Sequence, residues 1–147
     1  MIYEYSIKAT PLHDSHTYPC RDSRQAAAYL KEHVFQPDSL WRESVYALFL
    51  NGSNTIIGHL LVSVGGIESS VIDNRVVAKG AVDCLASGVI LSHNHPSGDP
   101  HPSTADLKMT EKLKGALALL DISLTDHIIV TDGGRCFSFT ENSAFTI

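Results

Sequence analysis

Residues 92–106 read Ser-His-Asn-His-Pro-Ser-Gly-Asp-Pro-His-Pro-Ser-Thr-Ala-Asp, which places His93, His95 and Asp106 within 14 residues of one another. Two imidazoles and one carboxylate are a donor set for zinc. Three protein ligands leave one position of a tetrahedral zinc open, as in catalytic rather than closed structural sites.

The neighbouring elements must bring these ligands together. Residues 88–92 form a short apolar run that predicts a strand. If the strand continues through His93 and His95, the two-residue spacing puts both imidazoles on one face, following Val89 and Leu91. Pro96 then stops the ladder, and the loop 94–102 holds three prolines and one glycine. The spacing predicts a helix over 103–120, with a stripe of Met109, Leu113, Ala116, Leu117 and Leu120. One step back along that stripe lies Asp106, so its carboxylate faces the interior. A buried charge demands a cation or strong donors, and the first turn of a helix favours an anion. Ser103 and Asp106 also fit a capping box, a purely structural role for the same carboxylate.

The rest of the chain supplies a scaffold. Strands are expected at 2–8, 43–50, 55–64, 126–131 and 135–140, with a shorter one near 68–72. Helices are expected at 22–34, capped by Asp22 or Ser23, and at 75–86. Asn51-Gly52 is the clearest hairpin turn. Gly65-Gly66 marks a break without the spacing of a dinucleotide site. Hairpins outnumber strand–helix–strand units. The expected fold is α/β of the α+β type: one domain over 1–147 with a mixed or antiparallel sheet flanked by helices.

Composition sets limits on function. The 147 residues are 44% hydrophobic and 18% charged, as in an ordinary globular domain. The net charge of −5 argues against tight binding to nucleic acid or an anionic membrane. Lys108, Lys112 and Lys114 read as one solvated helix side. Cys20, Cys84 and Cys136 form no CxxC pair and suggest neither a disulfide framework nor a cysteine-rich zinc site. A polar N-terminus and the lack of an apolar run near ~20 residues give no signal peptide or membrane span. A reducing, cytoplasmic location is expected.

Other polar residues have blander readings. His101 is expected in solvent, and His13, His16, His33 and His59 at the surface or core edge. Asn94 should point away from the metal and hold the loop, with Ser97 helping through backbone bonds. His127 could orient a ligand from behind or serve as a structural histidine. Cys84 is expected to be a small buried helix residue. Ser92 alternates off the ligand face, so a Ser–His–Asp hydrolase competes poorly.

The pattern His-x-His, seven residues, Ser, two residues, Asp resembles the JAMM motif of JAB/MPN+ metalloprotease domains. The string from His93 to Pro100, with Pro102-Ser103 and Asp106, is similar to the RadC branch of that superfamily. Glu43 opening an apolar strand and Asp126-His127-Ile128-Ile129-Val130 extend the resemblance over about residues 20–140. It implies one zinc per chain on His93, His95 and Asp106, with water in the fourth position. It implies Glu43 as general base and Ser103 as the hydrogen-bond donor to a tetrahedral oxyanion. Among the six glutamates, Glu68 beside Gly65-Gly66 is the rival base on the residues alone. Zinc lowers the pKa of bound water and polarises a carbonyl, and a nearby carboxylate moves protons. The implied substrate is a peptide or protein conjugate cleaved at an amide or isopeptide bond. The family carries a DNA-repair label, so the alternative is a DNA-associated accessory module with structural zinc. Metal-dependent phosphodiester hydrolysis is a third reading, and it lacks an acidic second-metal cluster. Longer members carry an N-terminal helix-hairpin-helix segment, which is not expected in 1–147.

Overall fold

The computed structural model describes residues 1–6, 8–11, 17–36, 41–65 and 72–143. Six strands and three helices appear among them: β1 (Tyr18–Pro19), α1 (Ser23–Tyr29), β2 (Ser44–Leu50), β3 (Thr55–Val64), α2 (Asn74–Asp83), β4 (Gly88–Asn94), α3 (Thr104–Ala118), β5 (Ser123–Val130) and β6 (Cys136–Ser138). The strands form one sheet in the order β1-β3-β2-β4-β5-β6. The β4–β5 pair is parallel, and the other pairs are antiparallel. The fold is therefore mixed α/β.

Alternation along the strands decides what each face buries. Leu48, Leu50 and Ile90 point to the face covered by α1, where they pack with Leu30 and Val34. Val45, Ala47, Phe49, Val89 and Leu91 point to the other face, against Val77 of α2 and Leu113 and Leu117 of α3. Leu113 and Leu117 are both fully buried, and each such leucine contributes about 1.5–3 kcal/mol. α2 lies close enough that a Cβ on Gly80 would meet Phe49 Cζ at 2.6 Å. All seven residues of β4 are buried, as expected of a central strand covered on both faces. His93 continues the Val89–Leu91 face, which points it at α3.

Several expected elements take a different form. Residues 2–6 and 8 form no strand and are exposed, with no core element among the described residues covering them. The edge partner of β3 is instead the two-residue β1, paired at Thr55 and Ile56. The helix expected at 22–34 is α-helical only to Tyr29 and ends as a π-helical turn over Leu30–Val34. β5 begins at Ser123, earlier than expected, because its first residues pair with Gly88 and Val89. Leu120 lies beyond α3 and is 48% exposed, so it is not part of the buried stripe. Cys84 caps the end of α2 and is exposed rather than buried. The strand expected near 68–72 falls largely outside the described residues, as do Glu68, His13 and His16. Asn51 closes the β2–β3 hairpin, its side-chain oxygen accepting from the Ser53 and Thr55 amides at 3.0 Å each.

Candidate metal centre

The four acidic and histidine side chains arrive from three places. His93 stands near the end of β4. His95 follows one residue beyond that strand, its amide still donating to Val130 O at 2.9 Å. Asp106 is the third residue of α3, and Glu43 immediately precedes β2. One ligand atom from each lies within 4.8 Å of the others.

The capping box forms, and it does not compete with the cluster. Ser103 Oγ accepts from the Asp106 amide at 3.1 Å, and the Ser103 amide donates to Asp106 Oδ2 at 2.8 Å. The same carboxylate reaches His93 Nε2 at 3.4 Å and His95 Nε2 at 3.3 Å. The cap thus fixes the rotamer that the cluster needs. Because Ser103 Oγ accepts in the cap, its own O–H is left to donate elsewhere.

Glu43 is placed by Asn94, the residue between the two histidines. Asn94 Oδ1 accepts from Ser44 N and Nδ2 donates to Arg42 O, both at 2.8 Å. The backbone on both sides of Glu43 is therefore clamped, and Glu43 Oε1 lies 3.9 Å from His93 Nε2. Asn94 was expected to hold its own loop. It holds the neighbouring strand's start instead, because it remains inside β4 beside β2. Replacing Asn94 with alanine leaves two backbone groups without their partner, at ~1–3 kcal/mol each. The expected result is a loss of about 2–6 kcal/mol in urea unfolding, with zinc content unchanged.

The donor set fits a metal. Zinc–nitrogen and zinc–oxygen bonds of about 2.0–2.1 Å put tetrahedral donors about 3.3 Å apart. Here the separations are 2.9 Å between His93 Nε2 and His95 Nε2, and 3.4 and 3.3 Å to Asp106. His95 Nδ1 lies 2.8 Å from the carbonyl of Asp99. A carbonyl only accepts, so Nδ1 carries the proton and the Nε2 lone pair faces the cluster. A bare nitrogen beside a second nitrogen and a carboxylate calls for a cation. His93 is fully buried, and the His95 side chain is 17% exposed, so the cluster opens on the His95 side.

Charge coupling follows. The Asp106 hydrogen bond raises the His95 pKa above the usual imidazole value, against partial burial. Burial pushes the Asp106 carboxyl up, but the facing His93 and His95 imidazoles and the Ser103 amide outweigh it and hold the group well below the usual carboxylate range. In metal-free protein, the His95 contribution to stability is complete below the unfolded value of about 6.5 and is lost as pH rises through the folded value. The Asp106 contribution is present above about 3.9 and is lost as pH falls through its depressed value. The pair is therefore worth most between about pH 4 and 6.5. Metal binding needs deprotonated ligands and strengthens with pH. Thermal unfolding with and without zinc should show a zinc-induced rise in Tm that is larger at pH 8 than at pH 5. A shift equal at both pH values would contradict the coupling.

Other residues fall as follows. His101 is exposed and pairs with Asp99 at 2.6 Å. Ser97 Oγ accepts from the Asp99 amide at 3.3 Å. Ser92 Oγ donates to Ile128 O at 2.7 Å, away from the cluster. His127 lies fully buried directly behind His93, with its Nε2 2.7 Å from His93 Nδ1. Burial, then the neighbouring His93, holds its pKa well below the usual value. Thr110 Oγ1, 2.6 Å from His127 Nδ1, had no sequence reading. Its only signal is its place four residues after Asp106 on the same helix.

A small mixed sheet with helices on both faces, carrying a His-His-Asp cluster and a nearby glutamate at strand and helix ends, defines a domain built around a group of side chains able to hold a metal ion. The chain belongs to the RadC-like JAB domain family, whose pattern matches residues 20–144. It is 40% identical over 114 residues to a UPF0758 protein of Flavobacterium johnsoniae, covering 76% of this chain and 49% of that one. It is 38% identical over 121 residues to a UPF0758 protein of Aquifex aeolicus, covering 82% and 50%. The UPF0758 protein YfjY of Escherichia coli is 46% identical over 104 residues, covering 70% and 64%. The chain thus spans about half the length of most of these curated relatives.

Proposed function

We propose that this domain is a zinc-dependent hydrolase of amide or isopeptide bonds, acting on a peptide or protein conjugate. The observation that carries the reading is the convergence of Glu43 on a three-donor cluster. His93, His95 and Asp106 hold the ion, one per chain, and Glu43 and Ser103 act on the reacting groups. Zinc held there polarises a carbonyl and makes a water acidic near neutral pH. Glu43 takes the proton of the attacking water and returns it to the leaving amine. Ser103 donates its free O–H to the developing oxyanion, an interaction worth ~2–4 kcal/mol. Asn94 keeps Glu43 aimed through Arg42 and Ser44. The alternative, a DNA-associated module with structural zinc, has the net charge of −5 against it. Among the described residues no helix is long and apolar enough to cross a membrane.

The test is direct. Purified protein is assayed for zinc content and then incubated with peptide and isopeptide libraries, with and without a chelator. Cleavage lost on chelation and restored by zinc is the expected result. Zinc-loaded protein that cleaves no amide library but binds DNA in a salt-sensitive way would replace this reading with the DNA-associated one.

A further inference from the structure

Behind the ligands, a file of hydrogen bonds crosses the core. The Thr110 hydroxyl lies 2.6 Å from the backbone carbonyl of Asp106, one helical turn earlier. The same hydroxyl lies 2.6 Å from His127 Nδ1, and His127 Nε2 lies 2.7 Å from His93 Nδ1. Thr110, His127 and His93 are all fully buried.

Protons are assigned from the far end inward. A carbonyl only accepts, so the Thr110 O–H donates to Asp106 O. The Thr110 oxygen then accepts, so His127 Nδ1 carries a proton. His127 is sealed between His93, Thr110 and the Phe139 ring, which stacks on it at 4.3 Å and 18°. None of these neighbours is negatively charged, and an uncompensated charge there would be costly. A neutral imidazole has one proton, so His127 Nε2 is bare and accepts from His93 Nδ1–H. What remains to His93 is an Nε2 lone pair facing His95 and Asp106.

We propose that His127, backed by Thr110, is a positioning residue that writes the metal-binding tautomer of His93 into the fold before any metal arrives. The file also joins the strand-borne ligand to the helix-borne one, since it begins at His93 and ends on the backbone of Asp106. Partners of this kind fix ring orientation and raise ligand basicity. The inference rests on the metal-centre reading but not on hydrolysis, so it is tested without a substrate.

The first measurement uses metal-free wild-type protein labelled with ¹⁵N-histidine. His93 should appear as the single Nδ1–H tautomer. In His127→Phe, which keeps the stack on Phe139 but offers no acceptor, Zn²⁺ affinity measured against a competing chelator should fall ~10–100-fold. His93 should then become a tautomer mixture. His127→Gln, whose amide oxygen accepts, should recover most of the affinity. Thr110→Val should weaken Zn²⁺ binding in the same direction while Thr110→Ser stays near wild type, and this pair decides the matter if His127→Phe does not fold. Wild-type His93 protonated on Nε2 in the metal-free state would overturn the proposal. So would unchanged Zn²⁺ affinity in folded His127→Phe or in Thr110→Val. A domain that cleaves no amide bond but passes these measurements would sink the hydrolase reading alone.

Discussion

Glu43→Gln is expected to lower amide hydrolysis by about 10²–10⁴-fold while the protein keeps one zinc per chain. The two effects separate because of where Glu43 stands. Its oxygen is 3.9 Å from His93 Nε2, whereas Asp106 lies 3.4 and 3.3 Å from the two histidines. Glu43 thus stands beside the three donors, farther from His93 than Asp106 is. Glutamine has the same shape and keeps the backbone clamp from Asn94 at 2.8 Å, but it cannot accept and return a proton. Initial rates alongside metal analysis of the same preparation check the result. Unchanged rates at full zinc would move the base elsewhere, with Glu68 first in line.

Asp106→Asn should do the opposite, removing the metal while sparing much of the scaffold. Apparent zinc affinities of ~10–16 kcal/mol in four-ligand zinc fingers amount to about 2.5–4 kcal/mol per ligand, or roughly two to three orders of magnitude in affinity. The amide can still accept the Ser103 amide, so the helix cap survives in part. It supplies no charge to balance two imidazoles whose Nε2 atoms sit 2.9 Å apart. Zinc competition should therefore show weakening of about 10²–10³-fold, with α3 helicity retained by circular dichroism. Retained zinc at wild-type affinity would mean that Asp106 serves only the cap.

Much of this arrangement was legible in the chain because each signal had a local cause. Two histidines two apart extend an apolar strand, and Asp106 is one step back from Met109 and Leu113 on a helix stripe. Both readings use only periodicity, and both faces meet in the core that Val89, Leu91, Leu113 and Leu117 share. The hairpin at Asn51 was legible for the same reason. What could not be read depends on partners distant in sequence. Residues 2–6 carry strand-forming types but no element covers them. Asn94 looks like loop filling until β2 lies beside it and presents Arg42 and Ser44.

His127, which the sequence offers as either a ligand-orienting or a structural histidine, is placed only by the sheet. The pairing of β4 with β5 slips between Val89 and Ile90, where Leu124 is followed by Asp126 as the next partner. One extra residue in β5, Thr125, reverses the side-chain alternation from there on. Without that bulge His127 would face α1. With it, His127 faces α3 and meets His93. A bulge of one residue carries no compositional mark here, so strict alternation mislays the side chain closest to the ligands.

The central placement of β4 also orders events in time. Its residues pair with β2 from Val45 to Leu50 and with β5 from Ser123 to Val130. During synthesis, His93, His95 and Asp106 leave the ribosome before β5 does. Until Val130 has emerged, the His95 amide lacks its acceptor and His127 has no place behind His93. A nascent chain thus displays three metal-seeking side chains without the geometry to hold an ion firmly. Firm seating of a metal ion there would therefore wait for β5 to dock, not merely for the three donors to emerge.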